Sequence, residues 1–457
     1  MKPIIYIIIF FFFFFIGCQK YLEKKPDQSL VIPKTFEDYN SLLEANNVFQ
    51  SVYPYLPDQG CDDYYLDSSY FLTLSPTNRA SYIWERDIYK GLNISDWSRV
   101  YSTIYIANIV LDGINRINIT NSGDLEQKNN LIGRALFIRS FGHFTIEEGW
   151  GQPYNPTSSS KDLGIPLKLT TNLSEKSTRA SVKEVFDQIL SDLKLSASLL
   201  PTTTQNANYP TKATAYGMLA RVCLTMHDFV QAGKYADSSL QINNTLVDYN
   251  TLSASSNSPF IANSRVFSEA LYASSLASSP ITLTNQRIDT FLFNSYTSND
   301  LRKLLFFRLN TTNNTYSFKG IYANNFANGP AIDEMYLVRA ECYARYGNTA
   351  SAMKDLNDLL KTRWRKNTNG TTTYVNQTAI SSNEALIKIL TERRKELCFR
   401  GLRWMDLRRL NQEPQFAITI KRIVSGVTYT LAPNDPKYAL PIPPDEIQLS
   451  GLVQNPR

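Results

Sequence analysis

The sequence predicts a mainly α-helical protein in which paired helices form a scaffold and long irregular loop excursions hang from it. Three observations predict this. Apolar residues recur at three-to-four-residue spacing in separate blocks, and a small-residue pattern in one pair of blocks returns 120 positions later. Between the blocks lie long segments dense in Ser, Thr, Asn and Tyr. With 457 residues, 43% hydrophobic and 19% charged, the chain can bury a large core and is not a disordered one.

The amino terminus carries a leader. Lys2 precedes an unbroken apolar run over 4–16, and thirteen residues at 1.5 Å each make a helix of about 20 Å, too short for a hydrocarbon core of about 30 Å. A charged start, a short apolar stretch and a small-residue break form the layout of a secretory signal. The break Phe15-Ile16-Gly17-Cys18 looks like a bacterial lipobox, which makes 1–17 a lipoprotein signal peptide and Cys18 the lipid anchor of a mature protein outside the cytoplasm. A plain signal peptide is the other reading of the same residues. No later stretch reaches 18 apolar residues.

The helical scaffold is expected over roughly 95–240 and 331–410. From Ser95, a plausible N-cap, Trp97, Val100, Ile104, Ala107 and Leu111 share one helix face. A second helix is expected over 131–147, stopped by Gly149-Trp150-Gly151-Gln152-Pro153. A third over 181–199 opens with Ser181 and Glu184 in capping-box spacing and ends before Pro201. Two hairpins follow: Ala220, Cys223, His227, Ala232 and Ala236 recur as Ala340, Tyr343, Gly347, Ala352 and Leu356. This is the spacing of a tetratricopeptide-like unit, in which small residues let two helices approach and the turn residue sits at the break. Excursions are expected at 51–91, 241–329 and 367–382.

Charge and chemistry narrow the function. The net charge of +6, or +5 without Lys2, is too thin over this length to mark a nucleic-acid binder. The basic run TERRKELCFRGLRWMDLRRL (391–410) interleaves Glu392, Glu396 and Asp406 with its arginines, which predicts intramolecular ion pairs on a packed helix. Only His143 and His227 are present, with no CxxC, G-x-S-x-G, P-loop, H-E-x-x-H or G-x-G-x-x-G, so no catalytic residue, metal ligand or cofactor is assigned. Asp62-Asp63 and Glu147-Glu148 are adjacent acids without a defined catalytic separation. The acidic stretch 58–67 lacks calcium-loop spacing. Cys61, Cys223, Cys342 and Cys398 permit disulfides outside the cytoplasm, although three of them lie in apolar-periodic helices where Cys behaves as a small hydrophobe.

Several segments in order resemble the SusD/RagB family of outer-membrane lipoproteins. They are Cys18 followed by YLEKKPDQSLVIPKTFEDY, then WSRVYSTIYIANIVLDGI, then GRALFIRSFGHFTI with GIPLKL after it, and SVKEVFDQILSDL with TKATAYGMLARVCL. DEMYLVRAECYARYGNTASAMKDLNDLLKTR, ILTERRKELCFRGLRWMDLRRL and the tail YALPIPPDEIQLSGLVQNPR complete the series, so the similarity runs from Cys18 to Arg457 with gaps in the excursions. Gly133-Arg134-Ala135 and Cys398-Phe399-Arg400 depart from the family's commoner acidic residues at those places. The resemblance implies one SusD-like domain over 18–457, anchored by lipid at the outer membrane and facing the exterior. It implies a lid over a SusC-like TonB-dependent transporter that captures a nutrient glycan and passes it inward without catalysis. The same architecture binding peptides or another nutrient is one alternative, and a surface glycoside hydrolase is another.

A sugar-binding surface needs aromatic faces for stacking and polar side chains for hydroxyls. The excursions supply Tyr64, Tyr65, Tyr70, Arg79, Tyr82 and Trp84 in the first, and Tyr296, Tyr316 and Tyr322 in the second, as candidate ligand contacts. Trp84 leads because a Trp in a polar loop has less core to fill, whereas Trp97, Trp364 and Trp404 lie in helical segments and are expected in the core.

Overall fold

The expected helix pairs are present, and side-chain caps set where most of the helices begin. The computed structural model describes residues 33–45, 52–204, 206, 208–261, 266–322 and 327–457; the leader and Cys18 lie outside them. In chain order the scaffold helices are α1 (Phe36–Glu44), α2 (Asp96–Gly113), α3 (Ser122–Trp150), α4 (Val182–Leu199), α5 (Lys212–Thr225) and α6 (Phe229–Ile242). After the second excursion come α7 (Ile332–Arg345), α8 (Thr349–Lys361), α9 (Ser382–Glu396), α10 (Arg403–Leu410) and the short α11 (Pro444–Ser450). Each of α2 to α6 packs on the one before it, α6 then packs on α7, and α7 packs on both α8 and α9. Ser181 and Glu184 form the predicted capping box of α4. Ser95 holds the N-cap position of α2, but its side chain makes no cap bond.

The second helix is longer than its periodicity suggested. Asn121 caps Asp124, and the polar residues 122–130 continue the backbone ladder before the apolar half begins. From Leu131 to Trp150 almost every residue is buried, so α3 is an internal strut packed on all sides. Its charges are answered from neighbours: Arg139 forms a two-pronged bond to Asp192 of α4 at 2.7 Å per prong, and Arg134 bonds Asn40 of α1 while lying 3.8 Å from the Tyr209 ring centroid.

The hairpins α5–α6 and α7–α8 match at the offset read from the sequence. Both turns need a left-handed residue, His227 at φ 61° and Gly347 at φ 81°, and each is followed by a capping Asp228 or Asn348. Ala220, Ala232, Ala236, Ala340 and Ala352 are all fully buried. A Cβ on Gly233 would stand 3.0 Å from Cys342 Cβ, so the small residue there sets how closely α6 approaches α7.

The excursions are less irregular than expected. The first contains helical segments Leu56–Gln59, Ser68–Thr73 and Pro76–Tyr82 and strand β1 (Tyr64–Tyr65). Residues 163–181 form a ribbon of β2 (Leu163–Pro166) and β3 (Arg179–Ser181). The second excursion holds β4 (Arg287–Ile288), β5 (Phe307–Asn310) and β6 (Thr315–Phe318), and β1 pairs antiparallel with β4, Tyr64 opposite Ile288. Two segments far apart in the chain are thereby joined to each other and sunk onto the helices. Near the end, β7 (Ile420–Val424) and β8 (Val427–Leu431) make a hairpin, and Asn455 returns the tail to the backbone carbonyls of Trp150 and Leu440.

The basic run 391–410 is not one helix. It breaks between α9 and α10, where Phe399 and Gly401 take positive φ. The expected ion pairs are present: Arg393 and Arg409 share Asp406, Arg409 also binds Glu341, and Arg403 binds Asp62. Beneath them Glu396 accepts from Arg302 and Arg363, each at 2.8 Å, and Arg363 clamps Glu269 as well. Cys61, Cys223, Cys342 and Cys398 are buried free thiols.

Two predictions follow from this interior. Arg363→Met leaves buried Glu269 without its arginine and takes one of two arginines from Glu396, and the expected loss is about 3–5 kcal/mol by urea unfolding. Arg116→Met removes an exposed partner of Asp112 and should leave the unfolding midpoint unchanged within error. The second concerns pH. Burial raises Glu147 to about 8, and burial likewise raises Asp58 to about 7 and Asp96 to about 6. These groups hold a proton in the folded state that the unfolded chain releases near pH 4 to 4.5. Their stabilising contribution is therefore complete below that range and is lost as pH rises toward 8, with a slope of up to about 1.4 kcal/mol per pH unit per group. Urea unfolding at pH 5 and pH 8 should give the higher stability at pH 5, and Glu147→Gln should flatten the difference.

Candidate functional site

A cleft of about 520 Å³ opens between α2 and the loop that joins β2 to β3. The helix side is built by spacing. Trp97, Tyr101, Tyr105 and Asn108 lie four, four and three residues apart, so they share one face of α2 beside the core stripe of Val100, Ile104 and Ala107. Trp97 is buried and anchors the row, with ring centroids 5.0 Å from Tyr101 and 5.6 Å from Trp150. Tyr101 and Tyr105 are half-buried and line the cleft with Ser98 and Ser102.

The opposite wall is held by α2 itself. The Tyr101 hydroxyl donates to Pro166 O at 2.8 Å, and the Asn108 amide donates to Lys168 O at 3.0 Å and Thr170 O at 3.2 Å. Within the loop, Lys168 Nζ donates to Glu175 O, and the Thr170 hydroxyl donates to the Glu175 carboxylate at 3.0 Å. Asn172 and Ser177 add polar groups, Leu173 stands exposed, and Glu446 of α11 closes one end.

Below the cleft, burial and the Arg139 charge push His143 down to about 3, and its Nε2 accepts from Lys168 N at 3.3 Å. A neutral imidazole so occupied is a strut, not a base. Burial, with the Glu446 and Glu147 carboxyls, raises Tyr101 well above the usual phenol value, so it stays a hydrogen-bond donor. The arrangement can stack on ring faces and bond hydroxyls. Among the described residues no group of three or more His, Cys, Asp or Glu could hold a metal, and Asp62 of the acidic stretch is taken by Arg403 and Arg394.

The residues proposed from the sequence lie elsewhere, and five of the nine are interior. Trp84, Tyr82, Tyr64, Tyr296 and Tyr322 are between 1 and 4% exposed. Trp84, Tyr82 and Tyr64 surround the buried Arg422 guanidinium, which lies 3.6 Å from the Tyr82 centroid, and Trp84 Nε1 donates to Gly60 O. Tyr296 donates to Lys395 O, and Tyr322 bonds Asp333 and Tyr249. No ligand reaches such faces: these aromatics fasten the excursions to the helices. Tyr65, Tyr70, Arg79 and Tyr316 are half-buried; Tyr70 donates to Pro280 O, Arg79 to Leu72 O, Tyr65 sits opposite Arg287, and Tyr316 stacks on Phe293 at 3.8 Å. None of the nine lines the α2 cleft. Of the tryptophans expected in helices and in the core, Trp97 and Trp404 are both, whereas Trp364 lies past the end of α8, bridges to Asp300 and is only half-buried. The cleft aromatics had a signal in the sequence, a second stripe of Tyr101, Tyr105 and Asn108 running beside the core stripe.

Comparison with known proteins agrees with this architecture. A family model described as starch-binding associating with outer membrane matches residues 20–224, and the SusD family model matches residues 332–457. SusD-like protein P2 of Formosa agariphila is 28% identical over 149 residues, 32% of this chain, and the match spans only 26% of that protein's length. Among solved structures, a SusD superfamily protein of Bacteroides vulgatus superposes with a TM-score of 0.73 at 20% identity, covering 93% of this chain and 99% of the other. A SusD superfamily protein of Bacteroides thetaiotaomicron gives 0.69 at 22% identity, covering 93% and 100%. A SusD-like carbohydrate binding protein of Bacteroides vulgatus gives 0.66 at 20% identity, covering 92% and 97%. The superpositions show a shared fold, and with family models matched over residues 20–224 and 332–457 the chain belongs to the SusD/RagB family.

Proposed function

We propose that this protein is a cell-surface lipoprotein, anchored through Cys18 to the outer membrane, that binds a nutrient glycan and delivers it to a SusC-like TonB-dependent transporter without catalysis. The observation that carries the reading is the α2 cleft, where two tyrosine rings a helical turn apart face a rim of serine, threonine and asparagine. Rings offer faces to the C–H surfaces of sugars, and short polar side chains bond the hydroxyls around them. The lipobox at Cys18 and membership of a family whose model is described as outer-membrane associating support the location. Among the described residues no helix is long and apolar enough to cross a membrane. The half-exposed Tyr65, Tyr70, Arg79 and Tyr316 are proposed as outlying contacts for a longer chain.

The test is affinity electrophoresis of the detergent-solubilised full chain against polysaccharide and oligopeptide panels. At least one polysaccharide should retard it, and Tyr105→Ala should weaken that retention roughly tenfold without changing the thermal midpoint. Trp84→Ala should instead lower the midpoint, since Trp84 is core. Retention by peptides alone would replace glycan with peptide, and turnover of a retained polysaccharide would return the protein to the enzymes.

A further inference from the structure

The charges around the cleft say more about its ligand, provided the glycan-binding reading above holds. An anionic sugar, sulfated or carrying a uronate, is held by charge-assisted bonds from arginine or lysine that have donors to spare. The cleft offers the opposite. Two carboxylates, Glu175 and Glu446, line it against one cation, Lys168, which gives one of its three N–H donors to Glu175 O at 3.2 Å, so the lining carries more negative than positive charge.

The arginines nearby are occupied in the same way. Arg179, whose charge reaches the Tyr101 hydroxyl, donates from Nε to Gly164 O, from Nη1 to Val453 O and from Nη2 to Leu163 O. Arg139, under the loop, gives two donors to Asp192 and a third to Asn108. In the separate groove beside Phe291, Arg394 and Arg403 are both held by Asp62. Among the described residues, the groups lining the cleft apart from Glu175, Glu446 and Lys168 are neutral, with the Tyr105 hydroxyl, the Ser98 and Ser177 hydroxyls and the Asn172 amide among them.

Spacing sets a minimum length. Tyr101 and Tyr105 are four residues apart on α2, a rise of about 6 Å, comparable to one sugar ring and its linkage. We infer that the cleft takes an uncharged, hydroxyl-rich glycan of at least two consecutive sugar rings and turns away sulfated and uronate-bearing chains.

The full chain in detergent is run by affinity electrophoresis against neutral polysaccharides (starch, mixed-linkage β-glucan, galactomannan, xylan) and anionic ones (polygalacturonate, alginate, chondroitin sulfate). The expected result is retention by a neutral polymer, unchanged between 0.05 and 0.5 M NaCl as uncharged contacts require, weakened roughly tenfold in Tyr105→Ala, with none by the anionic set. Glu175→Lys with Glu446→Lys should gain retention by an anionic polymer, and circular dichroism with the thermal midpoint reports whether each variant is folded. Retention by an anionic polymer that Tyr105→Ala abolishes would overturn the charge inference and leave the glycan cleft standing. Retention by no polysaccharide of either set would overturn the glycan-binding reading itself, and this inference with it.

Discussion

Glu396 is the point on which the second half of the molecule closes. Its two oxygens are held by Arg302, from the second excursion, and by Arg363, from just beyond α8. Arg302 also binds Asp300 and Glu392, and Arg363 also binds Glu269. All of these groups are buried. A buried ion pair adds little net stability over an apolar pair of the same shape, but half of one is very costly. The segments bearing Glu269, Asp300, Arg302, Arg363 and Glu396 therefore have to arrive together. The network acts on specificity: it makes an excursion poor in helical period take one position on the scaffold.

The same logic, with neutral groups, positions the cleft. The loop between β2 and β3 has little apolar content with which to fix itself, and α2 holds it through backbone carbonyls. Asn108 is the centre of this arrangement. Its amide nitrogen donates to two loop carbonyls while its oxygen accepts from Arg139, which is anchored on Asp192. The wall of the cleft is thus tied through one asparagine to the α3–α4 interface, the most deeply packed pair of the scaffold. A site built on a helix and a loop pinned to it keeps the aromatic row of the helix at a fixed distance from the polar groups of the loop, which is the pre-organisation the proposed binding needs.

The helical scaffold was legible because periodicity and capping act locally. Ser181 and Glu184 meet as their spacing requires, and the left-handed residues His227 and Gly347 fall at the two matching breaks. The extent of α3 was not legible, since residues 122–130 carry no apolar period and follow the helix only through the backbone ladder. Nor was the break between α9 and α10, where a non-glycine, Phe399, takes positive φ because tertiary packing demands it. The site was the least legible part. Tyr101 and Tyr105 sit one residue along from core positions, and nothing local separates an aromatic that fills the core from one at its edge.

The aromatics of the excursions show how local sequence misleads about exposure. A tryptophan in a polar loop has little apolar company in sequence, a pattern that predicts exposure. What sequence distance hides is Arg422, 338 residues beyond Trp84, whose guanidinium donates to the carbonyls of Tyr82, Gln59 and Cys61 while three aromatic rings enclose it. A buried cation needs acceptors and π faces together, and the first excursion supplies both. The aromatic richness of that loop is the requirement of a charge brought in from the β7–β8 hairpin. A loop aromatic is open to a ligand only when no distant cation claims its face, and that criterion removes Trp84 and leaves the Tyr101 and Tyr105 rings of the scaffold lining the cleft.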